Sequence, residues 1–167
     1  MRKRILRFLF RLDVRKSTGI ALAVSSPWLL YLLWRPMDHA TAILWANTAL
    51  VYFILAFILY LFLRLIGRLG RSEARRRLVI FTRVYIRFHV ASAILGVGAL
   101  LMHAGYMLST GWAATLTGKT GMVALIALAA LLFTGYLRKR KSSGRRRRFH
   151  RYTAYLFLII VFFHVFM

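Results

Sequence analysis

Five long apolar stretches constrain this chain more than any other feature. They run over about 19–34, 40–65, 84–108, 118–137 and 149–167, and a bilayer core needs about 20 such residues per helix. Hydrophobic residues make up 60% of the 167 residues and the mean hydropathy is +0.65. Soluble domains lie nearer 45–50% apolar. The expected fold is all-α: a polytopic membrane helix bundle of five transmembrane helices, forming a single domain over 1–167. The first span is short and interrupted by "SSP" at Ser25–Pro27. Such residues are tolerated where neighbouring groups satisfy the freed backbone. With a basic N-terminus and no small-residue cleavage site, that span is expected to be an uncleaved first helix. The basic, partly amphipathic stretch 69–83 is expected at the membrane interface before the third span.

The charge pattern predicts orientation. The chain has 26 Lys and Arg against 3 acidic residues, a formal charge of +23. In a soluble protein this would suggest nucleic acid. Here the charge falls in blocks between the spans: seven basic residues in 1–19, eight in 64–87 and nine in 138–151. The two other loops hold only Arg35 and Lys119. The positive-inside rule places the N-terminus and both basic loops in the cytoplasm and the C-terminus outside. Topology and attraction to anionic lipid heads account for most of this charge. The absence of cysteine excludes disulfides, thiolate metal sites, iron–sulfur clusters and covalent c-type haem.

Four of the five histidines form two equally spaced pairs. "RFHVASAILGVGALLMH" carries His89 and His103, and "RFHRYTAYLFLIIVFFH" carries His150 and His164, each pair fourteen residues apart. Fourteen helical residues rise about 21 Å and complete nearly four turns. The members of a pair therefore share one face, near opposite sides of the membrane. The third and fifth spans run in the same direction under the predicted topology. If they are neighbours, His89 is level with His150 and His103 with His164. Two level imidazoles can hold an ion or the iron of a haem from both sides. A lone zinc ion favours about four ligands, and neither helix offers a carboxylate or thiolate within its span. A porphyrin also needs space. Gly96, seven residues from both His89 and His103, could provide it, with Gly98 and Gly105 nearby. Phe157 is the matching midpoint on the fifth span. Taken singly, each feature has a plainer role: helix-to-helix hydrogen bonding for a histidine, small-residue packing for Gly96, apolar filling for Phe157. His39, beside Asp38 in an outer loop, reads as a solvated residue.

This arrangement of two His-x13-His pairs on the third and fifth spans resembles the ferric reductase-like transmembrane domain superfamily. That superfamily includes NADPH oxidases, ferric-chelate reductases and the haem-binding membrane subunit of bacterial methionine sulfoxide reductase. The resemblance covers the second span to the end of the chain. It implies two haem b groups carrying electrons across the membrane. His89 and His150 would ligate the inner haem, His103 and His164 the outer one, and Phe157 would separate them. Such oxidases continue into a cytoplasmic flavin and nicotinamide domain. This sequence has no glycine fingerprint for one, so a separate electron donor is expected, a flavoprotein or a membrane quinol, with an outer-side electron acceptor.

The leading expectation is thus a di-haem b-type cytochrome in the inner or plasma membrane, an oxidoreductase component without its own flavin or NADPH domain. Arg87, Arg148 and Arg151 are candidates to pair with the inner propionates. Tyr106, Trp112 and Lys119 are weaker candidates at the outer end. The fourth span carries no evident chemistry and is expected to close the bundle. The alternatives are a histidine-based proton or metal transport protein, which would usually bury carboxylates, and a non-catalytic membrane anchor subunit. Lipid is an expected partner in every case, and nucleic acid is not.

Overall fold

The computed structural model describes residues 13–141 and 143–167. The described chain is all-α, with no strand. Its helices are α1 (Val14–Trp34), α2 (His39–Arg68), α3 (Glu73–Ser109), α4 (Leu116–Arg140) and α5 (Gly144–Phe166), with a 3-10 turn at Trp112–Ala114 before α4. All five helices are long and apolar enough to cross a membrane, and the chain is a multi-pass membrane protein. Large apolar side chains on their outer faces are exposed, among them Val24, Ile126 and Phe166 at 77%, 68% and 75%. A soluble surface would not carry so much exposed apolar area, whereas lipid solvates it at no cost. Five residues of the first basic block, Arg2, Lys3, Arg4, Arg7 and Arg11, lie outside the described residues.

Each helix begins at a side-chain cap. Asp13 accepts from the Lys16 N–H at 2.8 Å, Asp38 from Thr41 at 2.7 Å, and Ser72 from Arg75 at 3.2 Å. Thr115 accepts from Gly118 at 3.0 Å and Ser143 from Arg146 at 3.2 Å. The first-turn N–H groups have no partner within their own helix, so these oxygens set where each helix starts. The same N–H groups hold the carboxyls of Asp13 and Asp38 below the ordinary carboxylate range. The third acidic residue, Glu73, lies in the first turn of α3 and pairs with Arg76 and Arg77, each at 3.2 Å. All three carboxylates of the chain therefore stand at helix N-termini, where the macrodipole favours negative charge.

The helices extend beyond the apolar cores of the five stretches. Residues 73–83, expected as an interfacial segment, are continuous with α3, which runs for 37 residues. Nothing in that basic stretch breaks a helix, and Glu73 with Arg76 and Arg77 supports its first turns. The "SSP" interruption is also helical, since Pro27 lies inside α1. Proline has no N–H to give the carbonyl four residues back, that of Ala23. The Ser26 hydroxyl donates to this same carbonyl at 2.8 Å, so the bond that Pro27 removes is replaced one residue away.

The chain divides into two compact units, Met1–Tyr106 and Met107–Met167. In the first, the Trp28 indole of α1 donates to Thr48 of α2 at 2.9 Å. Leu32, Trp45, Ala49 and Ala99 form its buried core, drawn from α1, α2 and α3. The Tyr85 hydroxyl on α3 donates to the Leu55 carbonyl on α2 at 2.6 Å, and Phe62, Phe81 and Tyr85 pack around it with two edge-on ring contacts. In the second unit, α4 and α5 form an antiparallel hairpin. Arg146 on α5 braces its turn by donating to the Leu137 and Lys141 carbonyls at 2.9 and 3.2 Å. These carbonyls close α4, where a cation and a donor are both favourable. At the other end, Gly111 adopts φ 79°, a left-handed conformation that glycine reaches without strain. It leads into the 3-10 turn, whose Trp112 carbonyl lies so close to Gly118 that any Cβ there would collide with it.

Candidate functional site

The four paired histidines are all partly buried, and each directs Nδ1 at the helix before its own. On α3, His89 Nδ1 lies 2.7 Å from the Ala56 carbonyl and His103 Nδ1 lies 3.0 Å from the Ala42 carbonyl, both on α2. Ala42 and Ala56 are themselves fourteen residues apart. Two antiparallel helices of equal rise thus meet at two levels in one register. On α5, His150 Nδ1 lies 3.1 Å from the Thr134 hydroxyl on α4. His164 Nδ1 lies 3.0 Å from the Thr120 hydroxyl and 3.1 Å from the Thr117 carbonyl.

These contacts constrain the tautomers. A carbonyl only accepts, so His89, His103 and His164 must carry hydrogen on Nδ1. The Thr134 hydroxyl has two other neighbours for its single hydrogen, the Leu131 carbonyl at 2.8 Å and the Thr153 hydroxyl at 3.0 Å, and when it donates to either it accepts from His150. In a neutral imidazole protonated at Nδ1, the lone pair resides on Nε2. In His89, His103 and His164 the basic nitrogen is therefore Nε2, and in His150 it is Nε2 when the ring donates to Thr134. An Nδ1–H held by a carbonyl or hydroxyl also fixes the ring plane and raises ligand basicity. The donor chemistry fits the iron of a b-type haem.

The remaining residues singled out in the sequence are placed as follows. Gly96 is buried against α2, where a Cβ would come within 3.1 Å of Tyr52 Cβ and of the Phe53 ring. The close approach that it permits is between α3 and α2, the small-residue packing role. Gly98 and Gly105 have nothing within 4 Å of a Cβ position. Phe157 is the buried side chain of α5, 3% exposed. Arg87 is half-buried on α3, while Arg148 and Arg151 are exposed on α5. His39 is the exposed first residue of α2, next to its cap Asp38. Tyr106 is half-buried, and Trp112 and Lys119 are exposed. No three His, Cys, Asp or Glu side chains gather into a metal-binding group among the described residues.

Sequence reasoning missed α4. It assigned that span no chemistry, yet α4 supplies the Nδ1 partners of both histidines on α5. A signal was present: Thr120–Gly121 and Thr134–Gly135 repeat the dipeptide Thr-Gly at the same fourteen-residue interval as the histidines. Ala42 and Ala56 left no comparable mark, because the anchor there is backbone. No family model, curated protein or solved structure matches the chain.

Proposed function

We propose that this chain is a di-haem b-type cytochrome that relays electrons across its membrane. The observation that carries the reading is the common state of four imidazoles. They stand at two equal spacings, and each directs Nδ1 at a carbonyl or hydroxyl of the preceding helix, an arrangement in which Nε2 is the basic nitrogen. Haem b would supply a one-electron redox centre whose potential its axial ligands tune. Equal spacing in the sequence pairs His89 with His150 and His103 with His164 as those ligands. Two imidazoles holding each haem would favour outer-sphere electron transfer over oxygen chemistry. Arg87, Arg148 and Arg151 are assigned to the propionates of the haem near the basic loops. Phe157, buried halfway between His150 and His164, is assigned to the space between the two haems.

Resemblance to the ferric reductase-like superfamily supports the same reading, as does the position of the carboxylates. A proton or metal relay usually places acidic groups within its spans, whereas all three here stand at helix N-termini. On this proposal the basic loops face the cytoplasm of an inner or plasma membrane. The donor is a separate flavoprotein or quinol, and the acceptor lies on the outer side. An acidic flavoprotein docking at 138–148 would deliver electrons more slowly as salt rises, since screening shortens from about 10 Å at 0.1 M to about 3 Å at 1 M.

The deciding experiment is a visible spectrum of the full chain, purified after expression with ample haem supply. Sharp b-type bands on reduction and two haems per chain are expected. A colourless protein sinks the proposal.

A further inference from the structure

We propose that α4 is the positioning helix for His150 and His164, acting through two Thr-Gly cradles. This inference rests on the haem reading and extends it to residues that touch neither iron nor porphyrin. In each cradle the threonine hydroxyl meets Nδ1 and the adjacent glycine faces the ring edge. At the lower-numbered site, Thr120 lies 3.0 Å from His164 Nδ1, and a Cβ on Gly121 would come 3.0 Å from His164 Cε1. At the other, Thr134 lies 3.1 Å from His150 Nδ1, and a Cβ on Gly135 would come 3.4 Å from His150 Cε1. The ring is thus held by a hydrogen bond at Nδ1 and met by the glycine at the adjoining Cε1.

The threonines are themselves fixed before they meet the imidazoles. Thr120 donates to the Thr117 carbonyl at 2.8 Å and Thr134 to the Leu131 carbonyl at 2.8 Å. Each hydroxyl thus has an α4 carbonyl to donate to, and Thr134 also meets the Thr153 hydroxyl at 3.0 Å, so a lone pair of each can accept from Nδ1–H. A hydroxyl free to rotate could equally donate to Nδ1 and select the opposite tautomer, which places hydrogen on Nε2 where iron should bind. At His150 the cradle therefore favours the ligating tautomer, and at His164 it does so together with the Thr117 carbonyl. The repeat of both dipeptides at the histidine interval places a threonine hydroxyl against Nδ1 at two depths, about 21 Å apart, with the glycine closer at His164 than at His150.

The test uses the full chain in detergent micelles with ¹⁵N-labelled histidine, with and without added haem b. Before haem is added, imidazole ¹⁵N shifts of the wild type should report the Nδ1–H tautomer for His150 and His164. Thr134→Val, close in shape but without a hydroxyl, should disturb the His150 signal alone, and Thr120→Val the His164 signal alone. With haem added, Thr134→Val should weaken the affinity of one haem by about 10–100-fold, the usual loss for such a partner. The potential of the remaining bound fraction should rise as the ligand loses basicity. Thr134→Ser should restore both, which recovery of packing alone would not do. Thr120→Val keeps the Thr117 carbonyl, so a loss nearer tenfold is expected. Gly121→Ala should displace His164 and lower haem content, while Gly135→Ala should leave it near the wild type. Tautomers and affinities indifferent to both valine variants would overturn the proposal, as would equal effects of the two alanines. A wild type that takes up no haem, yet shows threonine-dependent tautomers, would refute the haem reading and leave the imidazole cradles standing.

Discussion

The two units hold their histidines by different means. In the first, backbone carbonyls of Ala42 and Ala56 accept the Nδ1–H of His103 and His89. In the second, side chains do so, from Thr120 and Thr134, with the Thr117 carbonyl assisting at one level. A carbonyl anchor needs only close helix packing and persists under any substitution that preserves it. A hydroxyl anchor can be removed one atom at a time. The first pair is therefore governed by how tightly α2 and α3 pack, and the second by particular residues of α4. Small residues permit that packing in the first unit: Ala42 is 0% exposed and Ala56 is 8%.

The largest expected effect would erase this contrast. His89→Ala and His150→Ala should each abolish one of the two proposed haems, despite their different anchors, with helicity by circular dichroism unchanged. Retention of both haems in either variant would contradict the ligand assignment. Next, Ala42→Leu should overpack the α2–α3 seam, costing about 1–3 kcal/mol in denaturant unfolding and displacing His103. In the second unit a comparable insult is Gly121→Ala, where a Cβ would come 3.0 Å from His164 Cε1. Within the same seam, Gly96→Ala forces a Cβ to 3.1 Å from Tyr52 and Phe53, a cost of about 1 kcal/mol. Gly98→Ala, in open space, should be neutral or mildly stabilising, since alanine suits a helix better. Equal melting temperatures for these two variants would show that the seam yields more easily than its geometry implies.

A smaller effect is expected at the hairpin turn. Arg146→Gln removes a charged donor from the Leu137 and Lys141 carbonyls, on the order of 1 kcal/mol, whereas the exposed Arg147→Gln should change nothing measurable. A salt-dependence test of the basic loop must therefore spare Arg146, because its loss would mix docking with folding. The smallest effect concerns Asp38, the cap of α2 just before Ala42. The Thr41 N–H lowers its carboxyl below the unfolded value, so its contribution is present above the unfolded pKa and is lost as pH falls through the folded one. The wild type should lose slightly more stability on acidification than Asp38→Asn, which keeps a capping oxygen without the charge. Parallel pH profiles would remove Asp38 from the account.

Much of the architecture could be read from the chain. Five apolar stretches became five helices, and the matched histidine spacing led to four partly buried rings that each direct Nδ1 at the preceding helix. The helix ends were harder to place. Residues 73–83 joined α3 because charged residues continue a helix readily once Ser72 caps it. Pro27 stayed inside α1 because Ser26 mended its gap, a correction visible only when both residues are seen on one turn. Gly96 was read towards a porphyrin from its position between the histidines, but position along one helix does not identify the neighbour across from it. The anchors of His89 and His103 could not have been read at all, since every residue carries a carbonyl. Those of His150 and His164 could have been, had Thr-Gly been compared with the histidine interval.

The Arg146 brace has a reach beyond its own turn. It clamps the last carbonyls of α4 to the first turn of α5, shortly before His150, and helices of equal pitch carry that alignment along their whole length. A slip of one residue would rotate one helix by about 100° against the other. Like a pair of calipers, the hairpin is zeroed at its hinge, and the reading at its far jaws, where His164 meets Thr120, is correct because the hinge is.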